Sequence, residues 1–273
     1  MSREVRIGPA RRWNGIAWQE MWARRELVAA LVRHEIQIRY QQTVFGVLWV
    51  VGQPLVTSAI LSLLLTRLTE PRGAGVPYPL FVYVAMAPWA YISHGLTKGS
   101  YSFVFYAELV NRVYLPRLLI PVAVVLAALV DFAVTLAVLP FLMGYYGLAP
   151  SLSLVALPLV VALMILTVLG LAIWLAVLNA EFRDISYALP FMLQLGLFCS
   201  PMFYSSDIVP VPWRWLYALN PVAGVVEGMR WCVLHAQPIP LGLMLVSTVS
   251  ALAITMGGLY LFQRREPHLA DVI

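Results

Sequence analysis

Long apolar runs, separated by short polar stretches, are the dominant pattern of this chain. Residues 44–65 carry no charged side chain, and a helix of that length spans about 33 Å at about 1.5 Å per residue. This length suffices to cross the hydrocarbon core of a bilayer, which is about 30 Å thick. Apolar runs of comparable length predict six membrane-spanning helices, at about 44–65, 78–97, 118–143, 152–178, 187–204 and 240–262, with Asp131 as the one charge inside the third. The pattern therefore predicts an all-α polytopic membrane protein.

The polar stretches form the remaining segments of the chain. Residues 1–43 are rich in arginine, and an apolar stripe over about 18–40 predicts an amphipathic helix that lies on the membrane. The alternative is a solvated helix that packs on the protein itself. Residues 98–117 are mixed in character, and residues 263–273 form a short polar tail. Residues 205–238 are too apolar for a free loop and too interrupted for a span, so we expect a re-entrant or interfacial hairpin there.

Composition narrows the class of protein, and the positions of the basic residues predict how the chain is oriented in the membrane. Apolar residues occupy 61% of the 273 positions and charged residues 11%, whereas a soluble domain carries about a quarter charged residues. This excludes an ordinary soluble enzyme and a disordered chain. With the N-terminal segment inside, 14 of the 18 lysines and arginines lie on the cytoplasmic side. Both termini are therefore expected in the cytoplasm.

Lysine usage bears on the source of energy. The chain has one lysine, Lys98, and it follows Thr97 rather than a glycine. A phosphate-binding P-loop needs the dipeptide Gly-Lys, so this chain carries no P-loop. If ATP drives the protein, another chain must hold the ATP. We also predict no metal site, because His94 has no second His, Cys or carboxylate at ligand spacing.

Four sequence segments, taken together, resemble one family. Residues 31–54 read LVRHEIQIRYQQTVFGVLWVVGQP, with Arg-Tyr, a glycine, a tryptophan and Gln-Pro in that order. Residues 111–117 read NRVYLPR, residues 219–231 read LNPVAGVVEGMRW, and residues 266–273 read EPHLADVI. In this order the segments resemble the ABC-2 type permeases of polysaccharide exporters. The resemblance covers nearly the whole chain from residue 31 onwards.

The resemblance implies a channel-forming subunit of a bacterial inner-membrane exporter of lipid-linked polysaccharide, with O-antigen as the closest cargo. It also implies a homodimer that works with two copies of a separate P-loop ATPase, which binds ATP and Mg²⁺. This chain would itself contact membrane lipid, bind no cofactor and no nucleic acid, and carry no catalytic residue. Permeases for capsule or teichoic acid are relatives, and ABC-2 permeases that export drugs or lipids are further alternatives.

Aromatic rings are expected to line a path for sugars, because sugar rings present apolar faces to flat aromatic surfaces. We place Trp49, Trp89 and Tyr91 in this path, although rings near span ends also form the ordinary interfacial belt. Asp131 lies near the middle of the third predicted span, where a carboxylate faces the bundle interior or water. We assign Asp131 to the same path, in a hydrogen-bonding role rather than a proton relay, because no second carboxylate lies within a span.

A pair of opposite charges marks the segment before the last span. Glu227 and Arg230 stand three positions apart, so they can pair on one helix face. The resemblance places them, together with Asn220 and Pro221, at an external gate. The alternative is a structural pair that caps the hairpin.

Two candidate groups lie on the cytoplasmic side. The resemblance implies a short coupling helix at about 106–114 that the ATPase grips, and a solvated loop is the alternative. The polar candidates on this helix are Glu108, Asn111 and Arg112. The candidates on the interfacial helix are Arg33, Glu35, Arg39 and Tyr40.

Two other classes of protein remain as rivals. A membrane-embedded glycosyltransferase would need clustered carboxylates or a metal pair at the membrane face. The acidic residues here are scattered, and the close pair Glu181 and Asp184 is interpreted as a solvated connection. A passive channel would conduct without any ATPase.

Overall fold

The computed structural model describes residues 24–41, 46–68, 76–112, 115–235 and 240–272. These residues are almost entirely helical, and no β-strand occurs among them, which confirms the all-α class. Eleven α-helices follow one another along the described residues: α1 (Arg25–Tyr40), α2 (Gly46–Leu68), α3 (Tyr78–Phe105), α4 (Ala107–Arg112), α5 (Leu119–Ala127), α6 (Leu129–Tyr145), α7 (Leu157–Glu181), α8 (Asp184–Cys199), α9 (Val211–Ala218), α10 (Pro221–Leu234) and α11 (Leu241–Val272). Short 3-10 helices at Leu152–Ala156 and Ser206–Ile208 precede α7 and α9.

Three helical stretches of the described residues are long and apolar enough to cross a membrane. They are Leu119–Tyr145, which joins α5 to α6, Leu152–Glu181 and Leu241–Pro267. Two shorter apolar helices lie at Leu48–Leu64 and Asp184–Cys199. These stretches identify an integral membrane protein, and the count of six spans stays a prediction.

Helix α7 lies at the centre of the bundle and packs most extensively against α11 and α3. Small residues permit this close approach. A Cβ atom at Gly170 of α7 would lie 2.5 Å from Thr255 Oγ1 and 2.9 Å from Thr255 Cα on α11. On the other side, a Cβ at Gly99 of α3 would lie 2.6 Å from the Cβ of Ala172. Any side chain at either glycine would therefore push α7 away from its neighbour.

The buried apolar residues form two clusters along the bundle. The larger cluster joins α3, α7 and α10 and includes Tyr83, Met164 and Val226. The smaller cluster joins α1, α5 and the last turns of α3, α7 and α11, and it includes Leu31 and Leu269. We refer to the two ends of the bundle as the α10 end and the α1 end.

Two helices run beyond their predicted limits. The predicted spans end at about 97 and 262, whereas α3 continues to Phe105 and α11 continues to Val272. Charged residues mark where the hydrocarbon core ends, but they do not stop a helix, so a helix can run on past its span. Part of the predicted polar segment 98–117 therefore belongs to α3, and most of the predicted tail belongs to α11.

Two other predicted spans differ in their internal course. The span predicted at 118–143 consists of α5 and α6, which meet at Ala128, and no glycine or proline marks this break. The span predicted at 187–204 is α8, which ends at Cys199. It ends there because Ser200 precedes Pro201 and is extended, with φ −110° and ψ 156°.

The predicted hairpin at 205–238 contains α9 and α10, and its re-entrant course stays a prediction. Residues 1–23, which include the first part of the predicted amphipathic helix, lie outside the described residues.

Candidate functional site

A buried ion pair holds the α10 end of the bundle. Arg230 and Glu227 of α10 are both buried, and Arg230 Nη1 lies 3.3 Å from Glu227 Oε1. Arg230 also donates hydrogen bonds of 2.9 Å to the backbone carbonyls of Tyr204 and Met202. Glu227 Oε1 accepts a hydrogen bond of 3.0 Å from the backbone N–H of Ser206. We call this arrangement the Glu227–Arg230 clasp, because it fastens the loop after α8 onto α10.

The clasp also reaches α3. The guanidinium carbon of Arg230 lies 3.6 Å from the centroid of the Phe81 ring, a cation–π contact. One arginine therefore ties α10, α3 and the loop after α8 together. A buried charge is tolerated when it is paired and hydrogen-bonded, and both terminal nitrogens of Arg230 have partners, whereas its buried Nε has none. This geometry is that of a structural pair, and a gating role for Glu227 and Arg230 stays a prediction.

Asn220 and Pro221 start α10 beside the same loop. The Asn220 side-chain oxygen accepts a hydrogen bond of 3.0 Å from the Val222 N–H, which caps the helix. Its side-chain nitrogen donates to Ser200 Oγ at 2.9 Å. Pro221 occupies the first helical position, where the missing N–H costs nothing. Both residues therefore fix the position of α10 relative to the end of α8.

The candidate path residues divide into one exposed ring and two buried rings. Trp49, near the start of α2, is 72% exposed, whereas Trp89 of α3 is 8% exposed. Space for the Trp89 ring comes from Gly196 of α8, where a Cβ would lie 3.2 Å from the ring. Tyr91 is also buried, and its hydroxyl donates to the Val125 carbonyl at 3.3 Å. In the protomer, Trp89 and Tyr91 belong to the packed interior.

Asp131 of α6 is bound by the end of α1. Its carboxylate forms an ion pair with Arg39 and accepts a hydrogen bond from the Tyr40 hydroxyl. Arg39 also donates a hydrogen bond to Nε2 of His94 on α3. The charge of the buried carboxylate is thus balanced by a cation from α1, a contact that the sequence does not predict. No local pattern could reveal this contact, because Tyr40 and Asp131 are 91 positions apart.

Helix α1 packs on the protein along its length. Leu31 is buried in the smaller apolar cluster, and Glu35 accepts a hydrogen bond from the Tyr106 hydroxyl at the end of α3. Arg33 is exposed. Burial, together with the hydrogen bond to Asp131, raises the pKa of Tyr40 to about 12, so its phenol stays a donor at neutral pH. This part of the chain fits the packed alternative, and its contact with membrane lipid stays a prediction.

A cavity of about 160 Å³ lies between α1, α3 and α5. Glu35, Arg39, His94 and Lys98 line it together with apolar residues of α5. Its charged side chains are of both signs, and two of them already bind partners within the protein.

The predicted coupling segment contains α4. Glu108 lies in the first turn of this six-residue helix and is exposed. The backbones of Asn111 and Arg112 complete the helix, and their side chains lie outside the described part of the chain. Helix α4 follows α3 directly and lies at the α1 end of the bundle, next to Tyr106.

These features define a helical membrane protein with a docked amphipathic helix at one end and, at the other, a loop fastened onto α10. The chain belongs to the ABC-2 type transporter family, whose model matches residues 26–234. The resemblance found in the sequence is thereby confirmed.

Curated relatives match over nearly the full length of the chain. An O-antigen export system permease protein, RfbA, of Klebsiella pneumoniae is 25% identical over 91% of this chain and 95% of its own length. The protein of the same name from Myxococcus xanthus is 28% identical over 91% of this chain and 96% of its own length.

Proposed function

We propose that this chain is the permease subunit of an ATP-driven exporter that moves lipid-linked polysaccharide across the bacterial inner membrane. The observation that carries the proposal is the similarity to O-antigen export permeases over 91% of the chain. Membership of the ABC-2 type transporter family supports a transport subunit rather than an enzyme. This membership disfavours the alternative of a membrane-embedded glycosyltransferase.

The ATP is bound by a second protein in this proposal. The chain lacks the Gly-Lys dipeptide of a P-loop, and the family assignment supports an ATP-binding partner. Two copies of the permease and two of the ATPase form the complex, with α4 as the contact for the ATPase. A purified complex whose mass fits one permease copy would contradict this arrangement.

The polysaccharide passes along a path lined by aromatic rings, and both termini lie in the cytoplasm. Trp49 supports this view, because a ring that is 72% exposed in the protomer has a free face for a sugar. The Glu227–Arg230 clasp sets the position of the external hairpin, which gates the exit of the path.

Deletion of the gene tests the class of cargo. The deletion strain should lose its surface polysaccharide, accumulate lipid-linked polysaccharide inside the cell and recover both traits with the wild-type gene. Capsule or teichoic acid as the missing polymer would reassign the cargo within the same class. Normal surface polysaccharide, with increased sensitivity to a drug or altered lipid export, would overturn the proposal in favour of a drug or lipid permease.

A further inference from the structure

The last turns of α11 contact the end of α7 and the connection that follows α4. Arg265 Nη1 lies 3.1 Å from Glu181 Oε1 at the end of α7. Arg117, in the connection from α4 to α5, donates a hydrogen bond to the backbone carbonyl of Glu266. Residues 263–272 are thus held to the bundle at two polar points. One of these points lies five residues after the end of α4.

Apolar contacts strengthen the same junction. Leu269 is 1% exposed and belongs to the buried cluster that also holds Leu115 and Leu118 of the connection after α4. About two helical turns earlier, the Phe262 ring stacks on Phe103 near the end of α3, with ring centroids 6.0 Å apart and planes 23° apart. The end of α11 therefore packs near the chain that enters α4 and the chain that leaves it.

Helix α4 needs such support, because it is only six residues long. An isolated helix shorter than about 12–15 residues is marginal in water, and its stability must come from tertiary packing. Its exposed Glu108 shows that one side of α4 is turned away from the bundle. The orientation of that side is then set by the segments that flank the helix, at Tyr106 and at residues 115–118.

We propose that residues 263–272 of α11 form a brace that positions α4 for the ATPase, with Leu269 and Arg117 as positioning residues. This inference rests on the proposed function, in which α4 is the contact for the ATPase. Neither residue has to touch the ATPase. They act by holding the connection after α4 in one place.

Hydrogen–deuterium exchange of the purified, full-length permease tests the brace without the ATPase. Leu269→Ala should raise amide exchange in residues 107–118 about tenfold or more, because local opening becomes easier when buried apolar contacts are lost. Leu245→Ala is the matched control, since Leu245 lies on the same helix and is 65% exposed. It should leave exchange in 107–118 unchanged. Unchanged exchange in Leu269→Ala would overturn the brace.

Co-expression with the P-loop ATPase of the proposed complex tests the consequence. Per inserted permease, Leu269→Ala should retain less than about a third of the ATPase that wild type co-purifies, and Leu245→Ala should retain it all. Arg117→Gln should lower retention without removing apolar surface, and Arg117→Lys, which keeps a donor, should restore part of it. A general loss of folding would lower the inserted amount and leave retention per molecule unchanged.

The outcomes separate the two proposals. If wild type binds its ATPase and Leu269→Ala binds equally well despite faster exchange in 107–118, the brace does not position the contact and this inference is wrong. If wild type binds no ATPase at all, the proposed function fails, and this inference fails with it.

Discussion

Arg230 joins α10 to the loop after α8 and to the Phe81 ring of α3. Replacement of Arg230 should therefore destabilise the protein more than replacement of Glu227. Arg230→Met removes the donors to Met202 and Tyr204 and leaves the Glu227 carboxylate buried without a cation, which costs about 3–5 kcal/mol. Glu227→Gln keeps an oxygen that can accept from Ser206, so its effect should be smaller. Thermal unfolding of the detergent-purified variants measures the difference.

A wild-type melting temperature in Arg230→Met would contradict a structural clasp. Export of polysaccharide in cells is an independent measurement for Glu227→Gln, because it detects a gating role that thermal unfolding does not. If the charge itself gates the exit, export per molecule falls while stability is kept.

Trp49→Ala and Trp89→Ala should fail in different ways. Trp89 fills the space beside Gly196, and its loss leaves a cavity that costs about 3–5 kcal/mol, so we expect less inserted protein and a lower melting temperature. Trp49 is mostly exposed, so alanine should leave stability unchanged. If its ring stacks on sugars, worth on the order of 1 kcal/mol per contact, Trp49→Ala should lower export per inserted molecule.

Phenylalanine is the control at position 49, because it keeps a flat ring. Surface polysaccharide per inserted permease should be largely kept in Trp49→Phe and reduced in Trp49→Ala. The same export from wild type, Trp49→Phe and Trp49→Ala would show that this ring does not line the path.

At the residue scale, the sequence indicated pairs close along the chain and missed pairs far apart. The spacing of Glu227 and Arg230 on one helix face predicted their ion pair, which the structure contains. The partner of Asp131 could not be predicted, because it depends on how α1 folds back onto α6. For the same reason, depth along a predicted span could not distinguish the exposed ring of Trp49 from the buried ring of Trp89.

Helix α1 depends on Asp131 for its attachment, so the shape and polarity of this side chain matter at the scale of the element. Both substitutions at Asp131 remove the anion that pairs with Arg39, but Asn keeps an oxygen that can accept a hydrogen bond from Tyr40, whereas Leu keeps no acceptor. We expect Asn to be milder than Leu, both in export and in protection of residues 25–40 against proteolysis. Complete loss of export in a well-inserted Asp131→Asn variant would favour a proton or charge role instead.

Helix α4 offers a different kind of test, because a change there should affect coupling and spare the fold. Arg112→Glu reverses a charge on the segment that we propose for the ATPase contact. The variant should insert and dimerise as wild type does, yet its complex should lose ATPase binding or ATPase stimulation. Co-purification of the ATPase at normal yield, together with normal export, would exclude a coupling role for Arg112.

The span predicted at 187–204 runs past the end of α8, where Ser200, which precedes Pro201, is extended. The break between α5 and α6 carries no glycine or proline, so no sequence rule marks it. Packing decides such breaks, and packing partners lie far apart in the sequence.

At the scale of the whole molecule, the class followed from composition, because so few charges cannot cover a soluble fold of this size. The arrangement of helices around α7 did not follow from composition. It depends on small residues such as Gly170 and Gly99, whose partners can be identified only in the folded chain. The account therefore describes one protomer of a larger assembly, whose other members are proposed.

Reconstitution tests the central claim most directly. Proteoliposomes that hold this permease, the proposed ATPase partner and lipid-linked polysaccharide should move the polysaccharide across the bilayer only when both proteins and Mg-ATP are present. Omission of the ATPase, or a non-hydrolysable ATP analogue, should abolish movement. Equal movement with the permease alone would identify a passive channel, and sugar transfer by the permease alone would identify an enzyme; either result would contradict the account.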